Sequence, residues 1–354
     1  MNEISNLRMK IALTLAMFFL ISSAIAKENF EKTIVDKKIP VNKNALLHIE
    51  HQYGELKCKN WNESTVAIKV VVKTEVSGYE KAEKVFNTVK VDISGDNNTV
   101  NIVTSIREKL FNNGNNNFSI DMEIYMPASL SLELEHQFGN AFIEIIEGKS
   151  SIKCEYGNLE IKSLKNEINE VEVSFGKGLI REMMTGEIEV DYSEFTLIKA
   201  GKLSIETSYS TVSIDEVTNL DIEQEGGSCK IEKAENVEVS SKFSDFEVEN
   251  LAKGMIAQTE YGNLTIENIG KNFTKLSVEN SFGAVDLNFE EGTSFGIEAQ
   301  MEFCTLEYPN NADFSKRITS ATEGYYKGTI GANKQPTSTV TIDSDYGGVN
   351  IDFN

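Results

Sequence analysis

The sequence predicts an all-β protein: a parallel β-solenoid (β-helix) of about a dozen coils with an N-terminal antiparallel β cap. Three observations predict it. An aromatic–glycine doublet recurs about every 18 residues, apolar columns stand at fixed offsets on both sides of the doublet, and no proline interrupts Ala128 to Tyr308. A ladder of backbone hydrogen bonds needs every N–H, which proline lacks.

At the start of the chain, Arg8 and Lys10 precede an apolar run from Ile11 to Ile21, and Ala24 and Ala26 supply an A-x-A cleavage site before Lys27. Residues 1–26 are therefore expected to be a signal peptide, too short for a permanent membrane anchor. That predicts export to the periplasm, cell surface or exterior, with no transmembrane segment after cleavage.

Residues 27–130 are expected to hold a first coil and the cap. The first doublet is Tyr53–Gly54, and "STVAIKVVVKTEV" alternates like a strand. "GYEKAEKVFNTV" suits a short helix or a loop, "KVDISGDNNTVNIVTSI" a hairpin around Gly95–Asn98, "KLFNNGNNN" a polar loop and "FSIDMEIYMP" a strand ending at Pro127. Antiparallel strands here would cover an open ladder edge that otherwise invites aggregation.

Residues 131–354 are expected to be the solenoid itself. The aromatic position runs Phe138, Tyr156, Phe175, Tyr192, Tyr209, Gly226, Phe243, Tyr261, Phe282, Phe303, Tyr325 and Tyr346, in that stacking order. Gly226 keeps the spacing but has no ring. The following residue is small in Gly139, Gly157, Gly176, Ser193, Ser210, Gly227, Ser244, Gly262, Gly283 and Gly347. Such a column predicts a corner where adjacent coils leave no space for a side chain, or where φ is positive. Apolar residues stand four before the ring (Ile152, Val171, Ile188, Ile205, Ile222) and five after it (Ile161, Ile180, Leu197, Ile214, Ile231). Each arm alternates with period two, so each is a strand with one buried face. Continuing that parity from the position four before places the aromatic column inside the core. Outward rings, offering a stacking face to sugars, are the alternative.

The net charge is −21, from 55 acidic and 34 basic residues, which argues against nucleic acid and anionic membrane surfaces as partners. Part of this charge is periodic. Glu172, Glu189, Glu206 and Glu223 stand three before the ring position on successive repeats, and Asp215, Glu232, Glu249 and Glu267 stand six after it. Stacked in register they would repel, so either they splay into solvent beside lysines or they bind a hard cation such as Ca²⁺. No loop motif for calcium accompanies them, and no other cofactor is implied. His51 and His136, two before the ring, would form a column with Cys154, a set of metal-ligand types in a half-buried position. Cys58 and Cys229 fall on apolar columns, and the spacing of the four cysteines predicts free thiols. No nucleophile elbow, zinc-protease motif or phosphate-binding loop occurs, and most coils, at 17–19 residues, are too short for the looped cleft of a β-helical lyase or hydrolase.

The strand-rich first part, the passage "MEIYMPASLSLELE", the succession of YG coils and the closing "GYYKGTIGANKQPTSTVTIDSDYGGVNIDF" resemble the bacterial putative-adhesin family of exported β-solenoid domains. The resemblance covers Leu46 to Phe353. It implies a non-enzymatic structural or binding protein of the cell envelope whose partner is an envelope protein or a glycan, and it brings no active-site pattern. A carbohydrate-active β-helix enzyme and an envelope signalling or stress-response component are the competing expectations.

Overall fold

The computed structural model describes residues 27–107 and 117–354. The expected signal peptide, and all but the last residue of the polar loop, lie outside the described residues. The described chain forms one 23-stranded sheet and a single short helix, Tyr79–Phe86.

Strands one repeat apart pair in parallel and in register. Ser150–Glu155 lies between Ser131–Gln137 and Asn169–Ser174, which sets Ile152 against Leu134 and Val171. The second arm repeats this, Ile161 standing between Ile143 and Ile180. The pattern continues through Ile188↔Ile205 and Ile180↔Leu197. Glu194–Glu260 follows as a continuous run of paired backbone, 67 residues long, that turns corners at Tyr209, Gly226 and Phe243. Both apolar columns are buried along the whole series, forming one continuous core. No single repeat could bury its own face, so each is stabilised by its neighbours.

The corner between the arms explains the small residues. A Cβ on Gly157 would lie 1.7 Å from the carbonyl oxygen of Gly139, and one on Gly176 would lie 1.8 Å from that of Gly157. Where serine takes the position, its hydroxyl enters the ladder instead. The Gly176 N–H donates to Ser193 Oγ at 3.1 Å, and the Ser193 N–H donates to Ser210 Oγ at 3.0 Å.

At the N-terminal end the hairpin forms as expected, Val89–Gly95 running antiparallel to Thr99–Ile106 with Gly95 opposite Val100. Thr65–Val76 is antiparallel to Asn117–Met126. The inner strands of these pairs also continue the parallel ladder, Thr99–Ile106 beside Leu46–Gln52 and Asn117–Met126 beside Leu56–Asn60. Glu28–Pro40, which has no clear alternation in the sequence, adds an outer antiparallel strand on Thr65–Val76. Its charges and its bulge between Thr33 and Val35 blunt that edge. The helix buries Ala82, Val85 and Phe86.

The C-terminal end corrects the expected stacking order. Thr339–Asp345 pairs with Lys275–Ser281 on one side and Phe295–Glu302 on the other. Val349–Phe353 likewise enters between Val285–Phe289 and Leu306–Glu307. The last repeat therefore inserts between two earlier ones. Tyr325 is not a rung: Glu323–Ile330 turns back antiparallel on Phe295–Glu302, and Ala312–Thr319 pairs antiparallel with it. This ribbon occupies the outer edge of Phe295–Glu302, so the final strands pair on its inner edge.

Candidate interaction surface

The aromatic column points outward, which overturns the inward expectation. Tyr53, Phe138, Tyr156, Phe175, Tyr192, Tyr209, Phe243, Tyr261, Phe282, Phe303 and Tyr346 all have φ between 48° and 63°, the left-handed region that non-glycine residues seldom enter. Alternation of side chains holds only while the backbone stays extended. A left-handed residue at the corner slips the phase by one and turns its ring to solvent. The sequence carried this signal: buried positions four before and five after the ring are nine apart, an odd number that one continuous strand cannot satisfy. Each left-handed residue costs about 1–2 kcal/mol, which stacking offsets. Successive rings lie 4.8–5.4 Å apart at interplanar angles of 0–14°, and such pairs contribute roughly 0.5–1.5 kcal/mol each.

The ladder has two parts. Tyr53, Phe138, Tyr156, Phe175, Tyr192 and Tyr209 form one stack; Phe243, Tyr261, Phe282, Tyr346 and Phe303 form the other. Gly226 separates them, at φ +74°.

Three residues of the first carboxylate row are adjacent, Glu172 opposite Glu189 and Glu189 opposite Glu206. It lines a shallow groove of about 500 Å³ with His48, Glu133, Glu170 and Lys153. Burial raises the Glu189 pKa, and the charges of Glu172, Asp191 and Glu206 add to the rise. Lys153 relieves one end, its Nζ 2.7 Å from Glu172 and 3.1 Å from Glu155, and these bonds raise its pKa. His48 sits 3.2 Å from both Glu50 and Glu133. Partial burial lowers its pKa, but the two carboxylates outweigh this and the net shift is upward. Both shifts favour the charged form of the group, because each cation is bonded to carboxylates. Glu223, on the same row, is exposed. In the second row Glu232 and Glu267 are exposed, Asp215 and Glu249 half-buried, and Glu249 meets Lys230 at 2.8 Å. Among the described residues no group of three His, Cys, Asp or Glu side chains could hold a metal ion.

The histidine column forms, with His51 opposite His136 and His136 opposite Cys154. It is a core feature rather than a metal site. The two rings are stacked at 5.2 Å and 15°, so their nitrogens do not converge on a common point. Both are buried, and burial pushes their pKa values down to about 3 for His51 and about 4 for His136. His51 Nδ1 lies 3.1 Å from Thr104 Oγ1, whereas His51 Nε2 and both His136 ring nitrogens close no hydrogen bond. All four cysteines are free, as expected; Cys58, Cys154 and Cys229 are buried, which raises their thiol pKa values.

A family model described as Toastrack DUF4097 matches residues 60–352. A search of curated proteins finds no match. Among solved structures, a putative adhesin from Parabacteroides merdae is 12% identical over 67% of this chain and 95% of its own, with a TM-score of 0.36. A putative adhesin from Bacteroides fragilis is 10% identical over 92% of this chain and 97% of its own, with a TM-score of 0.26. A putative cell adhesion protein from Clostridium sporogenes is 13% identical over 93% of this chain and 100% of its own, with a TM-score of 0.18.

Proposed function

The chain belongs to the Toastrack DUF4097 family, and from that premise we propose that it is an exported, non-enzymatic β-solenoid of the bacterial cell envelope. In this reading residues 131–354 form the solenoid, residues 27–130 its first coil and antiparallel cap, and residues 1–26 a removable signal peptide. The protein acts as an adhesin-like structural or binding element whose partner is an envelope protein or a glycan.

One observation carries the reading: a row of solvent-facing rings on a rigid parallel ladder, each in a left-handed conformation that costs free energy to hold. Backbone strain repeated at so many corners keeps apolar side chains at the surface, where a partner can reach them. The carboxylate rows serve as solvated faces whose repulsion lysines and diffuse cations such as Ca²⁺ reduce. Capture of partners from envelope extract with the mature protein, run beside a glycan array, tests the binding role; fractionation of the producing cell tests export. A protein that captures nothing in either assay and stays in the cytoplasm would end the proposal.

A carbohydrate-active enzyme is the second reading, favoured by Glu189, a carboxyl of raised pKa between two others in a groove. Glycosidases pair such an acid with a second carboxylate. Release of reducing ends from envelope polysaccharides, abolished by Glu189→Gln, would replace the binding reading with this one.

A further inference from the structure

Everywhere along the ladder except at its ends and at one interior place, each ring face is covered by the next ring, and only edges meet solvent. The exception is Gly226. It keeps the repeat spacing and the left-handed backbone of its neighbours, yet it contributes no ring. Tyr209 and Phe243 consequently stand two ladder steps apart, roughly 10 Å at the usual strand spacing, with no ring of the chain between them. That interval admits one planar ring at the 4.8–5.4 Å separation found elsewhere in the stack. Tyr209 and Phe243 are the most exposed rings of the ladder, at 59% and 61%.

Tyr209 already leans into the space. Its separation from Tyr192, 5.4 Å, and its tilt of 14° are the largest in either stack. A Cβ placed on Gly226 would come within 2.8 Å of Tyr209 Cδ1. Cε1 and Cγ of the same ring lie 3.1 and 3.4 Å from that point, so the Tyr209 ring reaches partly over Gly226 and the slot opens when that ring swings back toward Tyr192.

The rim is acidic. Glu225 adjoins the gap, and Glu206 and Glu223 belong to the carboxylate row on that arm. None of the three forms a salt bridge, while the nearby Lys242 is engaged by Glu260 at 3.8 Å. A polypeptide that places a planar side chain between two basic residues fits this combination, since the ring completes the stack and its flanking charges meet the rim.

We propose that the slot between Tyr209 and Phe243 receives a single aromatic side chain, flanked by lysine or arginine, from a partner polypeptide. The inference rests on the binding role above and gives it a site and a partner chemistry. Two further outcomes separate the slot from that role. If a captured envelope partner binds Gly226→Phe as well as wild type, the slot falls and the role stands. If a tryptophan peptide uses the slot but neither capture nor the glycan array finds a partner, the role falls and the slot stands.

The probe is a short lysine-flanked tryptophan peptide, titrated at low salt against its counterpart with alanine in place of tryptophan. The tryptophan peptide is expected to bind the wild-type protein about tenfold more tightly, the gain from stacking on two faces. Gly226→Phe fills the slot with the chain's own ring, at a left-handed φ of 74° near the 48–63° of the other rungs and with Tyr209 displaced, and should erase that advantage. Phe243→Ala removes one wall and should reduce it. Circular dichroism on both variants establishes that the fold is retained. Equal affinity for the two peptides, or an undiminished tryptophan preference in folded Gly226→Phe, would overturn the proposal. Displacement of the peptide by a neutral oligosaccharide at lower concentration would overturn the choice of a polypeptide.

Discussion

The ring of Tyr346 lies parallel to that of Phe282, with centroids 4.9 Å apart and 0° between the planes. Beneath the rings Asn280 Nδ2 donates to Ser344 Oγ at 3.2 Å, joining positions 64 residues apart. The end of the chain is therefore a keystone, held between Lys275–Ser281 and Phe295–Glu302.

Deleting residues 339–354 should expose both of those strands at once. Hydrogen exchange is expected to quicken across Lys275–Ser281 and Phe295–Glu302 while Ser150–Leu164 stays protected, because contacts in a stacked repeat reach only the nearest neighbours. Unchanged protection at 275–281 would contradict the insertion.

Gly157→Ala should destabilise by more than ~3 kcal/mol or prevent soluble expression, since the methyl would meet a backbone oxygen with no freedom to retreat. Gly270→Ala is the control: its Cβ would sit 3.6 Å from the Leu251 oxygen, an ordinary contact. Its urea midpoint should lie within about 0.5 kcal/mol of wild type.

Phe175 stacks on Tyr156 and Tyr192 at a φ of 55°. Phe175→Ala loses both stacking contacts and keeps the strain, for an expected cost of about 1–3 kcal/mol. Phe175→Gly loses the same contacts but relieves the left-handed backbone, so it should prove the more stable of the two in urea unfolding. The reverse order would mean that the corner strain is negligible.

Burial depresses the pKa values of His51 and His136 to about 3 and about 4, against an ordinary value of 6.5. The unfolded chain then binds more protons than the folded one between these values. Stability is fully present well above pH 6.5 and falls as pH drops toward 4, by on the order of 1 kcal/mol per histidine at pH 5.5. The double variant His51→Val, His136→Val, using the residue found in the same column at Val173, should show a flatter profile from pH 7.5 to 5.5. An identical slope would place the acid sensitivity elsewhere.

Glu189 has the opposite sign. Its raised pKa disfavours the charged folded form, so its contribution worsens as pH rises through the folded value. Glu189→Gln should raise the urea midpoint slightly at pH 7 and lose that gain near pH 4. Ca²⁺ should reproduce part of the gain in the wild type no better than Mg²⁺ at equal ionic strength, as screening requires. A specific calcium effect would instead indicate direct coordination by the row.

Residues near in sequence and alike in type settled much of this protein. Period-two alternation gave the arms around Ile152 and Ile161, and the small residues at Gly139, Gly157 and Gly176 marked a corner where a carbonyl oxygen fills the space of a side chain. The acidic rows and the break at Gly226 were also legible, because a ladder in register converts equal spacing into vertical contact. Tertiary structure decided the rest. The direction of the rings depended on a left-handed φ that a hydrophobic pattern does not encode, although the odd interval across the corner required a slip somewhere. The place of Tyr346 between Phe282 and Phe303 depended on which strand edge was left open once Glu323–Ile330 had folded back. Repeats of similar sequence offer nearly equivalent edges, so their order is chosen by how the intervening chain closes the others, and no local pattern records that choice.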